Sequence, residues 1–212
     1  MRMKWMVLSL CLASMVLAED KRTPEAVKKV KKAPAFTLPS LDGKKISLKD
    51  FENKIVVLEW INHGCPFVVN HYKSKNMQML QKKYKKKSIV WLSICSSAPG
   101  KQGDMTVEKW KQTNKAYGAE PTAVLLDPEG KVGRLYKAKT TPHMYIIDKS
   151  GVIRYEGAID DKRSTKPEDI KTSKNYVGLA LDAMLAGKEV PVKKSKPYGC
   201  SVKYAKPKPA RQ

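Results

Sequence analysis

Apolar and polar positions follow one another in this chain as blocks whose period switches between two and about four. Ile55-Val56-Val57-Leu58-Glu59-Trp60-Ile61 and Ile89-Val90-Trp91-Leu92-Ser93-Ile94 are near-continuous apolar runs, the pattern of strands covered on both faces by helices. Thr122 to Leu126, Met144 to Asp148 and Val152 to Glu156 predict three more strands, the last two joined through Lys149-Ser150-Gly151 as an antiparallel hairpin. After Cys65, apolar Val69, Tyr72, Met77, Leu80 and Tyr84 recur at mostly helical spacings; Ser74 to Asn76 interrupts their face and predicts a bend or a second short helix. Thr106 offers a helix cap, Val107, Trp110 and Tyr117 share a face behind it, and Gly118 stops the segment. Residues 131–138 predict a further helix. A last one runs from about Ser173 to Ala186 with Val177, Leu181 and Met184/Leu185 inward and Gly187 as its stop. Ahead of the first buried strand, residues 34–38 and 45–48 predict two short strands about Leu41-Asp42-Gly43-Lys44, followed by a helical turn at Leu48-Lys49-Asp50-Phe51. Strands alternating with helices specify a layered α/β domain.

Length and charge bound this picture. At 212 residues the chain is ample for one domain and short for two. Arg2 and Lys4 precede an apolar run from Met6 to Leu17, and Val16-Leu17-Ala18 offers a small-residue cleavage site before Glu19-Asp20, so residues 1–18 read as a secretory signal peptide. A run of that length does not span a bilayer. The expected organisation is therefore a leader at 1–18, a polar and basic segment at 19–32, one domain at 33–187 and a basic, Pro/Lys-rich tail at 188–212 that carries Cys200. The mature protein is expected outside the cytoplasm, periplasmic or secreted. A net charge of +22 favours non-specific contacts with acidic partners or anionic surfaces. The lysines crowd around Lys28 to Lys32, Lys82 to Lys87 and the tail without the aromatic interleaving of a stacking platform, so no specific nucleic-acid face is expected.

The chemistry centres on Cys65, where the apolar strand breaks through Asn62-His63-Gly64 into Cys65-Pro66-Phe67-Val68. A cysteine at a helix start meets unpaired backbone N–H groups and the positive end of the helix dipole, which favour a thiolate. Pro66 suits the first helical position, where it loses no hydrogen bond. Downstream, Thr140-Thr141-Pro142-His143 enters another apolar strand, where proline marks an edge, a turn or a cis bond.

Strand, Cys-Pro helix, then Thr-Pro entering a strand-turn-strand hairpin resembles the thioredoxin superfamily, and its redoxin branch in particular. The likeness covers roughly residues 33 to 187 and includes the leading segment Ala33-Pro34-Ala35-Phe36-Thr37-Leu38-Pro39-Ser40-Leu41-Asp42-Gly43, similar to the entrance of the alkyl hydroperoxide reductase/thiol-specific antioxidant and thiol-disulfide reductase families. The resemblance implies a three-layer fold with a central mixed sheet, flanking helices and an N-terminal β-hairpin extension. It also implies a cis Thr141–Pro142 bond beside Cys65 that shapes the partner's groove.

Two departures from the family patterns matter. The usual Cys-x-x-Cys pair lets the second sulfur attack the mixed disulfide formed by the first, and here that second place holds Val68. A resolving thiol must come from elsewhere: Cys200 leads, in a flexible basic segment able to fold back over the site, while Cys95 reads as a core cysteine near the end of the neighbouring strand. The resemblance to peroxiredoxins lacks their threonine three positions before the cysteine, where Asn62 stands, and their late arginine, where Pro142 aligns. Asn62 or His63 are substitute donors in that reading, although His63 reads first as a loop histidine facing solvent and Trp60 as a core aromatic. Cofactor and metal are not expected: His63, Cys65, His71 and His143 follow no structural zinc spacing.

The sequence thus points to an extracytoplasmic thiol oxidoreductase acting through Cys65. Pro142 and Thr141 shape its groove, its substrate is a thiol/disulfide protein or a peroxide, and an external dithiol restores it. Disulfide exchange is favoured over peroxide reduction, and a binding module with a structural Cys65 is the non-enzyme alternative.

Overall fold

The structure, a computed structural model, describes Lys31 to Lys206. The leader and most of the segment expected at 19–32 lie outside the described residues. Among those described, no helix is long and apolar enough to cross a membrane.

The first buried run forms β3 (Val56–Trp60) and the second β4 (Val90–Cys95), parallel to each other and continued by parallel β5 (Ala123–Leu126). On the other side of β3 lie antiparallel β7 (His143–Ile147) and β8 (Ile153–Gly157), giving the order β5-β4-β3-β7-β8. Ahead of this sheet, β1 (Thr37–Pro39) and β2 (Lys45–Ser47) pair as the expected hairpin. Ser47 then caps a 3-10 turn, Leu48–Phe51.

Alternation of side chains along the strands divides the core into two layers. Val57, Trp91, Met144 and Ile146 face one layer; Val56, Leu58, Trp60, Leu92 and Tyr145 face the other. The first layer is closed by α1 (Pro66–Lys73), α2 (Asn76–Lys85), α3 (Val107–Tyr117) and, after the short α5 (Pro167–Lys171), α6 (Tyr176–Leu185); these four contribute Tyr72, Met77, Tyr84, Trp110, Val177 and Leu181. The second is closed by α4 (Lys131–Leu135) and the hairpin, through Val132, Phe36 and Leu38. Each such buried side chain contributes about 1.5–3 kcal/mol of transfer free energy.

The expected break between helices falls at Lys75, whose backbone is left-handed at φ 63°. At the break Tyr72 O accepts from Lys75 N at 3.1 Å, and Gln78 Nε2 adds a second donor at 2.9 Å. Thr106 caps α3 as expected, its hydroxyl accepting from Lys109 N. Helix α6 starts later than expected because the Asn175 side chain caps it on Gly178 N at 2.8 Å. Leu185, expected inward, is 40% exposed: eight residues past Val177 it has rotated about 80° off the buried face.

The segment after Gly187 departs most from expectation. Read as a flexible tail, its described part packs onto the domain: Val190 and Tyr198 enter the first core layer and Val202 the second. It ends in β9 (Cys200–Ser201), antiparallel to β6 (Thr140–Thr141). Anchors set apart by proline and lysine have no period, so periodicity misses them.

His143 opens β7 in a buried setting, its Nδ1 accepting from Lys139 N at 3.2 Å. Burial pushes its pKa down from 6.5 to about 4; Glu156 opposes this weakly, and Lys139, Lys31 and Lys194 add to it. The folded state therefore holds a neutral imidazole where the unfolded chain binds a proton. Its contribution to stability is complete above about pH 6.5 and is lost as pH falls toward 4. His143→Asn, which keeps an acceptor but does not titrate, is expected to flatten the fall of the urea midpoint between pH 6.5 and 4. Parallel wild-type and variant curves would contradict this assignment.

Candidate active site

Sheet register brings the reactive segments together. Trp60 at the end of β3 pairs with His143 at the start of β7, so the chain leaving β3 for Cys65 passes the chain entering β7 from Pro142. Cys65 is the N-cap of α1 with Pro66 at its head. The loop before it is locked: Asn62 Oδ1 accepts from Gly64 N at 2.8 Å, Asn62 Nδ2 donates to Gln102 O at 3.0 Å, and Gln102 Nε2 returns to Gly64 O at 2.9 Å. A Cβ on Gly64 would meet Gln102 Cγ at 2.6 Å, so the position accepts no side chain without a shift of Gln102.

The Cys65 thiol donates to Thr141 O at 3.0 Å, and the Cys200 N–H points at its sulfur at 3.5 Å. The Thr141–Pro142 peptide is cis, and Thr141 is the strand partner of Cys200. Burial works against a thiolate here, but hydrogen bonding from the Cys200 thiol and from the Val68 and Cys200 N–H groups outweighs it and holds Cys65 below its usual range. Thr141 Oγ1, buried without a partner of its own, is a further donor within reach of the sulfur. Cys200 moves the other way, pushed up to about 11 by burial, by its hydrogen bond to Cys65 and by the negative charge there, with Lys203 opposing. One sulfur is set to ionise and its neighbour to keep a proton.

The other expected residues are placed elsewhere. Cys95 is a core thiol donating to Gly103 O at 3.5 Å, and burial raises its pKa. Asn62 spends its amide on the loop. His63 is buried, not facing solvent. Its ring lies 5.0 Å from Tyr72, 5.0 Å from Trp110 and 5.2 Å from Tyr117, and Nε2 pairs with Asn114 Oδ1 at 3.0 Å. Burial pushes its pKa down, leaving a neutral ring turned into the core by the aromatics of α1 and α3. Trp60 is a core residue whose Nε1 donates to Ser96 Oγ at 3.1 Å. His71 pairs with Tyr198 OH at 3.0 Å and Asn76 Nδ2 at 2.9 Å. No cluster of three or more His, Cys, Asp or Glu side chains among the described residues fits a metal ion.

Sequence reasoning missed two groups. Glu59, on the first-layer face of β3, is fully buried and accepts from Trp91 Nε1 at 2.7 Å, Ser93 Oγ at 2.9 Å and Tyr72 OH at 3.1 Å. Burial raises its pKa against those bonds. An acid inside an apolar run was the available signal. Tyr198 donates to Asp160 Oδ1 and pairs with His71, fixing the chain two residues before Cys200. Nothing in the sequence pattern marks it.

A helix-leading cysteine facing a Thr-Pro turn, at the end of the central strand of a five-stranded mixed sheet, defines a thioredoxin-like thiol oxidoreductase. Residues 30–156 match the AhpC/TSA family, and the chain belongs to it. The thiol-disulfide oxidoreductase ResA of Bacillus thuringiensis is 32% identical over 124 residues, 52% of this chain and 70% of that protein. Among solved structures, a conserved protein of Geobacillus kaustophilus superposes with a TM-score of 0.70 at 30% identity, covering 86% of this chain and 93% of that one. A thioredoxin-like protein of Neisseria meningitidis, described as a putative thioredoxin, superposes with a TM-score of 0.50 at 28% identity, covering 67% and 89%.

The buried carboxyl generates a test. Glu59→Ala strands the indole, hydroxyl and phenol donors around it and is expected to cost about 2–4 kcal/mol, whereas Glu59→Gln keeps an acceptor and costs less. Urea unfolding measures both. A loss under about 1 kcal/mol for the alanine variant would show that the donors find other partners.

Proposed function

We propose that this protein catalyses thiol–disulfide exchange outside the cytoplasm, with Cys65 as nucleophile and Cys200 as resolving thiol. The observation that carries this reading is the pairing of Thr141 with Cys200, which brings a protonated thiol and its N–H to the Cys65 sulfur. The Cys65 thiolate attacks one sulfur of a substrate disulfide, forming a mixed disulfide and releasing the first substrate thiolate. Cys200 then loses its proton and attacks Cys65 Sγ, forming the Cys65–Cys200 bond and expelling the second substrate thiolate. The substrate disulfide gains two electrons and the cysteine pair loses two. An external dithiol returns them. Cys200 thereby replaces the second cysteine that Val68 removes from the four-residue motif. Thr141 and Pro142 hold the carbonyl that faces the sulfur. The extracytoplasmic location rests on the leader-like run at residues 1–18.

Family membership supports a second reading, peroxide reduction. The Cys65 thiolate would attack one oxygen of hydrogen peroxide, breaking the O–O bond and expelling the other oxygen as hydroxide that is protonated to water; the Cys200 thiol would then condense with the Cys65 sulfenic acid to the same disulfide, releasing a second water. Asn62 turns its amide to the Gln102 loop and not to the sulfur, which favours exchange.

Oxidised glutathione should convert the reduced protein to a Cys65–Cys200 crosslinked peptide, and Cys200→Ser should accumulate the mixed disulfide at Cys65. Cys65→Ser is expected to abolish disulfide reduction. In Cys95→Ser, which removes the core thiol from the signal, the Cys65 thiolate should appear below the usual cysteine range and the Cys200 thiolate near 11. A Cys65–Cys95 crosslink would move the resolving role. Fast hydrogen peroxide consumption with negligible disulfide reduction would establish the peroxidase instead, and an unreactive Cys65 would leave a binding module.

A further inference from the structure

Cys65 exposes none of its surface, and part of what covers it is the chain's own C-terminal segment. Tyr198 to Val202 runs antiparallel along β6, with Thr141 opposite Cys200 and Thr140 opposite Ser201, and Val202 N donates to Lys139 O at 3.1 Å. Remove this segment and Thr140–Thr141 becomes an unpaired edge beside a nucleophilic sulfur, the kind of edge to which a second extended chain adds. In the closed protein that edge is filled, and what fills it presents a cysteine to Cys65 as a bound disulfide peptide would.

The fit depends on one residue. Gly199 has φ 126°, and a Cβ there would lie 2.0 Å from Thr141 O and 2.8 Å from Thr141 C, both backbone atoms that cannot swing aside. The segment is held at its upstream end by Tyr198, through Asp160 and His71, with the Phe67 ring 5.7 Å away. Downstream, Ala98 N donates to Lys203 O at 2.8 Å and Tyr204 OH to Ala138 O at 2.9 Å. It is a strap tied at both ends, with the resolving thiol in its middle.

We propose that Tyr198–Val202 is a self-supplied occupant of the polypeptide-docking edge and that Gly199 sets substrate size. With the strap seated, the protein favours low-molecular-weight disulfides, which need only local displacement beside Cys200. A polypeptide disulfide needs β6 vacated. This rests on the exchange reading of Cys65.

The test compares second-order rates of the reduced protein with oxidised glutathione and with insulin disulfides. Wild type should prefer the small disulfide by at least tenfold. Gly199→Ala cannot seat the strap, so its insulin-to-glutathione rate ratio should rise at least fivefold, with faster tryptic cleavage after Lys203, inside the strap's downstream tie, reporting the lifted segment. Tyr198→Phe, which loses the upstream anchor at little cost in volume, should shift the ratio in the same direction and serves if the alanine variant fails to fold. An unchanged ratio in a variant whose strap trypsin shows to be lifted overturns the proposal, as does a wild type that reduces insulin as fast as glutathione disulfide. A wild type inert to both disulfides removes the exchange reading and the proposal with it.

Discussion

The contact between the Cys65 sulfur and the Thr141–Cys200 strand pair is the constraint on which the rest of the site depends. A thiol at a helix head is favoured toward ionisation by the N–H groups it faces, but this one is also fully covered, and burial alone would push its pKa up. What reverses the balance is polar contact supplied from 135 residues away, the Cys200 N–H and thiol. Burial raises Cys200, and the same contact adds to it, because the proton shared between two adjacent sulfurs is held more tightly by the one that stays protonated. The two sulfurs proposed as nucleophile and resolver thus differ through this juxtaposition, together with burial and the Val68 N–H. Mixed-disulfide chemistry needs that difference, since the attacking sulfur must be ionised and its partner held back until the first exchange is complete.

That juxtaposition is only as firm as the scaffold on either side. The parallel and antiparallel neighbours of β3 fix where the Cys65 loop and the Pro142 turn emerge. The loop is stiffened by the exchange of hydrogen bonds between Asn62, Gly64 and Gln102. On the far side, the strap reaches the sulfur because a glycine allows two backbones to touch and because Tyr198 ties it to α1 through His71. The helix that Cys65 heads and the segment that carries Cys200 therefore share a buried anchor.

Much of the domain could be read from the chain. The two apolar runs gave the central strands, Lys149-Ser150-Gly151 the hairpin, Thr106 a cap and Cys65-Pro66 the reactive helix start, because each depends on residues within one element and on its period. Glu59 was visible as an acid in an apolar strand, yet its four-sided hydrogen bonding required β4, α1 and α2 to be folded around it. His63, in a loop by sequence, is drawn inward by aromatic rings on two helices that no local pattern connects to it.

What the sequence determined alone was the layered α/β architecture, the cysteine at the head of a helix, the missing partner at Val68 and a spare thiol far downstream. Only the tertiary structure decided where that thiol goes. Residues 188–206 have no helical or strand period, and their position is set by scattered anchors at Val190, Tyr198, Gly199 and Val202. Each acts through contacts distant in sequence. Periodicity records an environment that repeats along one element, so it specified the sheet and its helices; the placement of Cys200 against Cys65 is a long-range fit between two non-repeating segments, and it exists only once the chain has folded.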